Sequence, residues 1–141
     1  MKRESITEEE LKIIRSAIGK IQYADYVYAQ CSLGLRPGEF LTLKKSDLQT
    51  VGGQLVLICG SGTDTGRDRC APVPEAVREI IDMRLRQTGT DLLFPRLDIQ
   101  HDCVLGWKPM TTAYYSKYVF KPLLKKLSIA EDKAPYCAHY T

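Results

Sequence analysis

Apolar positions recur at helical spacing over the first third of the chain. Leu11, Ile14, Ala17, Ile18 and Ile21 lie three and four residues apart, which predicts an amphipathic helix from about Glu8 to Gly19. Thr7 and Glu10 have the spacing of a capping box at its start, and Ile6 is placed to pack on Leu11. A second apolar helix is expected from about Gln22 to Leu33, with Tyr26, Ala29, Gln30 and Leu33 at steps of three and four. Its tyrosines, Tyr23, Tyr26 and Tyr28, read as packing residues. Gly34 can terminate that helix and Pro37 suits the first position of the next. The third helix should run from Pro37 to just before Asp47.

The period then changes. Gln54–Cys59 is a strand pattern, and Arg69–Val73 reads as its antiparallel partner across the turn formers of 60–68. Pro74 opens a further helix, with Val77, Ile80, Ile81 and Leu85 on its inner face. Leu92–Pro95 is a short buried strand or turn, and the run from Leu97 to Pro109 is expected to be a surface loop. Thr111 or Thr112 caps a last helix carrying Tyr115, Val119, Leu123 and Leu127, kinked by Pro122. The expected class is therefore α+β and mostly helical, with helices flanking a small antiparallel hairpin or sheet.

Composition narrows this only a little. A chain of 141 residues is read as a single domain. With 44% hydrophobic and 26% charged residues it is not a disordered chain. A net charge of +3 permits a nucleic-acid partner without requiring one. Five cysteines, with no Cys-x-x-Cys pair, read as reduced thiols, although Cys59 and Cys70 could face each other across the hairpin. That fits a cytoplasmic protein. No apolar run reaches membrane length and no signal peptide is seen, so no membrane partner is expected.

Candidate chemistry concentrates in Gly34–Asp47. Arg36 lies between two helix ends with Glu39 three residues later. A guanidinium oriented by a carboxylate suits a phosphate group, although such a pair alone also describes a surface salt bridge. The neighbours add to it. Leu43 lies seven residues after Arg36 and Asp47 eleven after it, and the stretch resembles the first signature of the tyrosine recombinase (phage integrase) catalytic domain. That family ends a hydrophobic helix in Gly-Leu-Arg and places Glu, Leu and Asp at these same offsets. The resemblance extends from about Ile6 onward and follows the family's order of elements.

The resemblance implies phosphoryl transfer on double-stranded DNA in integration or recombination, as in a mobile element or prophage, with no cofactor and no metal. Arg36, supported by Glu39, would bind the non-bridging oxygens of the scissile phosphate. The family's hairpin reads Lys-Thr-x-x-Gly-x-x-Arg-x-x-Pro. Thr63, Gly66, Arg69 and Pro72 stand at its offsets, but Gly62 occupies the lysine position and has no proton to give. Thr63, Arg67 and Arg69 remain candidate DNA-phosphate contacts, with a solvated hairpin as the other reading. Where the family has His-x-x-Arg, this chain has Tyr136 and His139, and no arginine follows Arg96.

Losing one preorganised donor of this kind costs about 3–4 kcal/mol, or about 10²–10³ in rate. A nucleophilic tyrosine is expected well beyond that motif, and Tyr140 is too near to it. Residues 1–141 are thus read as one partial catalytic domain, inactive alone. The alternative is a non-catalytic DNA-binding or protein-interaction module derived from a recombinase. Such a module could self-associate, or bind an intact recombinase protomer, through an exposed carboxy-terminal core. His101-Asp102-Cys103 reads as a loop and not as a metal site. Lys117, Lys121, Lys125 and Lys126 form a basic helix face that is either solvated or in contact with DNA.

Overall fold

The computed structural model describes residues 6–59 and 69–129, with Cys59 and Arg69 described by their backbone. Thr63, Gly62, Arg67, Tyr136 and His139 lie outside the described residues, as does the side chain of Arg69. The described chain divides into two compact units, 6–37 with 112–129, and 38–111. Helices and small antiparallel sheets make up the structure, in agreement with the expected α+β class.

In the first unit, α1 (Glu8–Ser16) begins at the expected capping box. Thr7 accepts from the Glu10 N–H at 3.1 Å, and Glu10 accepts from the Thr7 N–H at 2.9 Å. The helix closes earlier than its apolar spacing predicts. The N–H groups of Ala17 and Ile18 bond three residues back, and Gly19 then turns to a φ of +86°. Tyr23 sits in the left-handed region, so α2 (Ala24–Leu33) starts two residues later than expected from Gln22. Residues 26–31 of α2 are all buried, which marks it as an interior helix and not a surface one.

The final helical segment consists of α5 (Thr112–Tyr114), a wide π-helical turn (Tyr115–Phe120) and α6 (Lys121–Lys126). The expected effect of Pro122 has a specific form. Proline has no N–H to donate, and the turn ahead of it widens so that Lys121 N–H bonds to Ser116 O, five residues back. Tyr115, Val119, Phe120, Leu123 and Leu124 are buried, while all four lysines of the basic face are exposed.

Helix α3 (Pro37–Leu41) is shorter than expected; in the second unit, which starts at Gly38, a 3₁₀ turn follows it at Lys45–Asp47. The chain then forms a three-stranded antiparallel sheet, β1 (Leu48–Val51), β2 (Gln54–Cys59) and β3 (Arg69–Pro72), with β2 central. β1 is an addition to the expected hairpin. It joins β2 through Gly52-Gly53, both at positive φ, between the paired residues Val51 and Gln54. The register sets Cys70 opposite Ile58 and Arg69 opposite Cys59, so the two cysteines are not directly paired.

Helix α4 (Glu75–Arg86) follows Pro74 as expected. It buries Val77, Ile80 and Ile81, whereas Leu85 is 37% exposed and does not belong to the inner face. The segment expected as a loop after Leu97 is instead a second two-stranded sheet, β4 (Arg96–Gln100) and β5 (Cys103–Lys108). His101 and Asp102, at φ of 52° and 63°, form its turn. Among the described residues no group of three metal-binding side chains converges, and no helix is long and apolar enough to cross a membrane.

Candidate functional site

Arg36 is positioned by the way α2 ends. Gly34 adopts φ 68° and ψ 28°, a left-handed cap that costs glycine little, and its N–H bonds to the carbonyls of Gln30 and Cys31. Leu35 N–H also bonds to Gln30 O, at 3.4 Å. Leu35 is 1% exposed and Pro37 is buried, so Arg36 is an exposed residue between two buried ones. Pro37, with no N–H to leave unsatisfied, opens α3, and Glu39 follows in its first turn. Glu39 is half-buried, and neither Arg36 nor Glu39 is without an interaction partner.

The other two signature positions carry structure. Leu43 is 1% exposed, and its carbonyl accepts from Leu93 N–H at 3.0 Å. Asp47 caps the 3₁₀ turn: its Oδ2 accepts from Lys44 N–H at 2.8 Å and its own N–H bonds to Lys44 O at 2.9 Å. Lys45 N–H bonds to Asp91 O at 2.8 Å, and the Lys45 ammonium donates to the Gln87 carbonyl. These bonds tie the stretch after α3 to the segment after α4. Phe40 and Phe94 stack beside it with centroids 4.1 Å apart. The offsets that carried the resemblance thus differ in setting. Arg36 is exposed, while Leu43 and Asp47 hold the backbone that follows.

Two residues that pattern reading treats as packing bear on the site. Gln30 is 0% exposed. Its Nε2 donates to Leu35 O at 2.7 Å, and its Oε1 accepts from the Tyr115 hydroxyl at 2.8 Å. Burial, and after it the neighbouring Cys31, hold the Tyr115 phenol well above its ordinary range, so it stays protonated and able to donate. A glutamine within an apolar helix was the available signal, since a buried amide needs partners for both of its ends.

No family model and no curated protein matches the sequence. Solved structures do match it. The Tn1549 transposon integrase in complex with circular intermediate DNA aligns over 100% of this chain and 51% of its own, with a TM-score of 0.71 and 18% identity. XerA recombinase aligns over 99% of this chain and 49% of its own, at 0.67 and 22% identity. The XerH site-specific recombinase bound to its difH substrate aligns over 99% and 42%, at 0.65 and 19%. The fold is that of site-specific recombinases. The chain spans about two-fifths to half the length of the recombinase chains it matches.

Proposed function

We propose that residues 1–141 are part of the catalytic domain of a site-specific tyrosine recombinase, and that Arg36 binds a phosphate of duplex DNA with Glu39 orienting it. The observation that supports this reading most is local. An exposed arginine stands between the left-handed cap of α2 and the proline that opens α3, in a chain whose whole length aligns with recombinases solved on DNA. A planar fork of donors fixed at its backbone recognises phosphate oxygens better than a mobile ammonium does. Thr63, Arg67 and Arg69 are proposed as further phosphate contacts, on the strength of their offsets in the hairpin motif.

Binding of a labelled DNA duplex should weaken as salt rises. Arg36→Ala should lower the affinity by about tenfold or more, the value of a charge-assisted hydrogen-bonded contact. It should also reduce the slope of log affinity against log salt by about 0.9, the loss of one phosphate contact. Equal slopes for the parent and the variant would remove Arg36 from the interface.

Strand transfer by residues 1–141 alone is a separate matter. Gly62 cannot donate a proton to a leaving oxygen, and Tyr136 and His139 stand where the motif has His and Arg. A phenol with an ordinary pKa of about 10 is a poor acid–base group near neutrality beside an imidazole of about 6.5. Incubation with a nicked suicide duplex should therefore give no covalent protein–DNA adduct on a denaturing gel. An adduct mapped to any tyrosine of this chain would show that it carries its own nucleophile.

A further inference from the structure

The peptides on either side of Leu35 are both held by residue 30. The Gln30 carbonyl accepts from the Gly34 and Leu35 N–H groups, and the Gln30 side chain donates back to the Leu35 carbonyl. The first set of bonds is enough to end α2, because the left-handed Gly34 already turns the chain. The side-chain bond does something more. It fixes the plane of the 35–36 peptide, whose N–H belongs to Arg36. The Tyr115 hydroxyl donates to Gln30 Oε1, which sets the orientation of the amide and turns its NH₂ toward Leu35. Among the described polar and charged residues, Gln30 is the one that is buried, at 0% exposure. An apolar side chain would fill such a position without the cost of desolvating an amide.

We infer that Gln30 and Tyr115 are positioning residues for Arg36: a two-bond brace running from the π-helical turn through the interior of α2 to the peptide that aims the guanidinium. The inference rests on Arg36 contacting DNA phosphate. Tyr115 opens the widened turn ahead of Pro122, so the sequence feature that breaks the last helix also lies at the root of the brace. The charge that meets the ligand is on Arg36. Gln30 and Tyr115 touch no ligand and act by holding that charge where it meets the phosphate; without them the guanidinium no longer makes the contact.

The test is a salt titration of duplex binding by the 141-residue chain carrying Gln30→Leu, Tyr115→Phe, Arg36→Ala, or Gln30→Leu with Arg36→Ala. Thermal unfolding first establishes a temperature at which each variant is folded. Gln30→Leu should lower the salt slope by about as much as Arg36→Ala, about 0.9, and the double variant should bind no more weakly than Arg36→Ala. Tyr115→Phe should shift affinity and slope in the same direction by a smaller amount, and it decides the matter if Gln30→Leu is not folded. A folded variant with the parent's slope, or a double variant whose losses multiply, would overturn the brace while leaving the contact at Arg36 intact. No effect of Arg36→Ala itself would overturn both.

Discussion

Phe94→Ala should cost about 3–5 kcal/mol of stability, the usual range for emptying a buried aromatic site. Phe94 and Phe40 are both 0% exposed, and their rings stack with centroids 4.1 Å apart at an interplanar angle of 25°. Such pairs contribute about 0.5–1.5 kcal/mol beyond the area they bury. The neighbouring backbone cannot readily collapse into the space, because Leu93 N–H is bonded to Leu43 O and Lys44 pairs with Leu92. Urea unfolding of the parent and the variant measures the difference, with Leu85→Ala as a comparison. Leu85 is 37% exposed, and its truncation should cost well under the Phe94 value. A Phe94→Ala loss below about 1 kcal/mol would mean that the site relaxes around the missing ring.

How far the sequence could be read follows from how local each determinant is. The capping box at Thr7, the cap at Gly34 and the helix start at Pro74 depend on neighbours within four residues, and each stands where its spacing puts it. β1 was legible in principle, since Gly52-Gly53 before Gln54 is a hairpin signal. The expected helix stops before Asp47 and the expected strand starts at Gln54, so residues 48–53 are left without an element. The β4–β5 hairpin was harder to see. His101-Asp102 fills a turn that usually takes Asn-Gly, and Ile99, Val104 and Leu105 are exposed, so no buried face imposes a clean alternation. A bulge adds to this, leaving Leu105 without a partner position between the pairs Ile99–Val104 and Asp98–Gly106.

The site divides in the same way. Arg36 and Glu39 are proposed from spacing, because their offsets are local. Spacing does not show that Asp47 is bonded to backbone while Arg36 is exposed, because that depends on what is packed or bonded against each. Asp47 shows this most directly. As a carboxylate eleven residues after the arginine it could have been part of the chemistry, yet its oxygen is used on the Lys44 N–H. Gln30 and Tyr115 are 85 residues apart, and a hydrogen bond at that separation leaves no periodic trace in either helix.

Tyr115→Phe tests that long-range bond through its dependence on pH. At neutral pH the substitution keeps the ring and removes the donor to Gln30 Oε1, which should cost about 1–3 kcal/mol for a buried acceptor. The advantage shrinks in alkali. Burial first, then Cys31, raises the phenol's pKa in the folded chain, so the unfolded chain releases this proton first, at about pH 10. The stability contributed by the neutral phenol is therefore fully present below about pH 10, and is lost above it at up to about 1.4 kcal/mol per pH unit until the folded pKa is reached. Tyr115→Phe has no such proton. Cys31 and every lysine are common to both proteins, so their titrations largely cancel in the difference. Paired urea unfolding should show the parent's advantage constant from pH 7 to about 9, and narrowing or reversing by about pH 11. An advantage that stays constant through pH 11 would mean that the hydroxyl ionises as readily folded as unfolded, and the brace between the π-turn and α2 would lose its buried end.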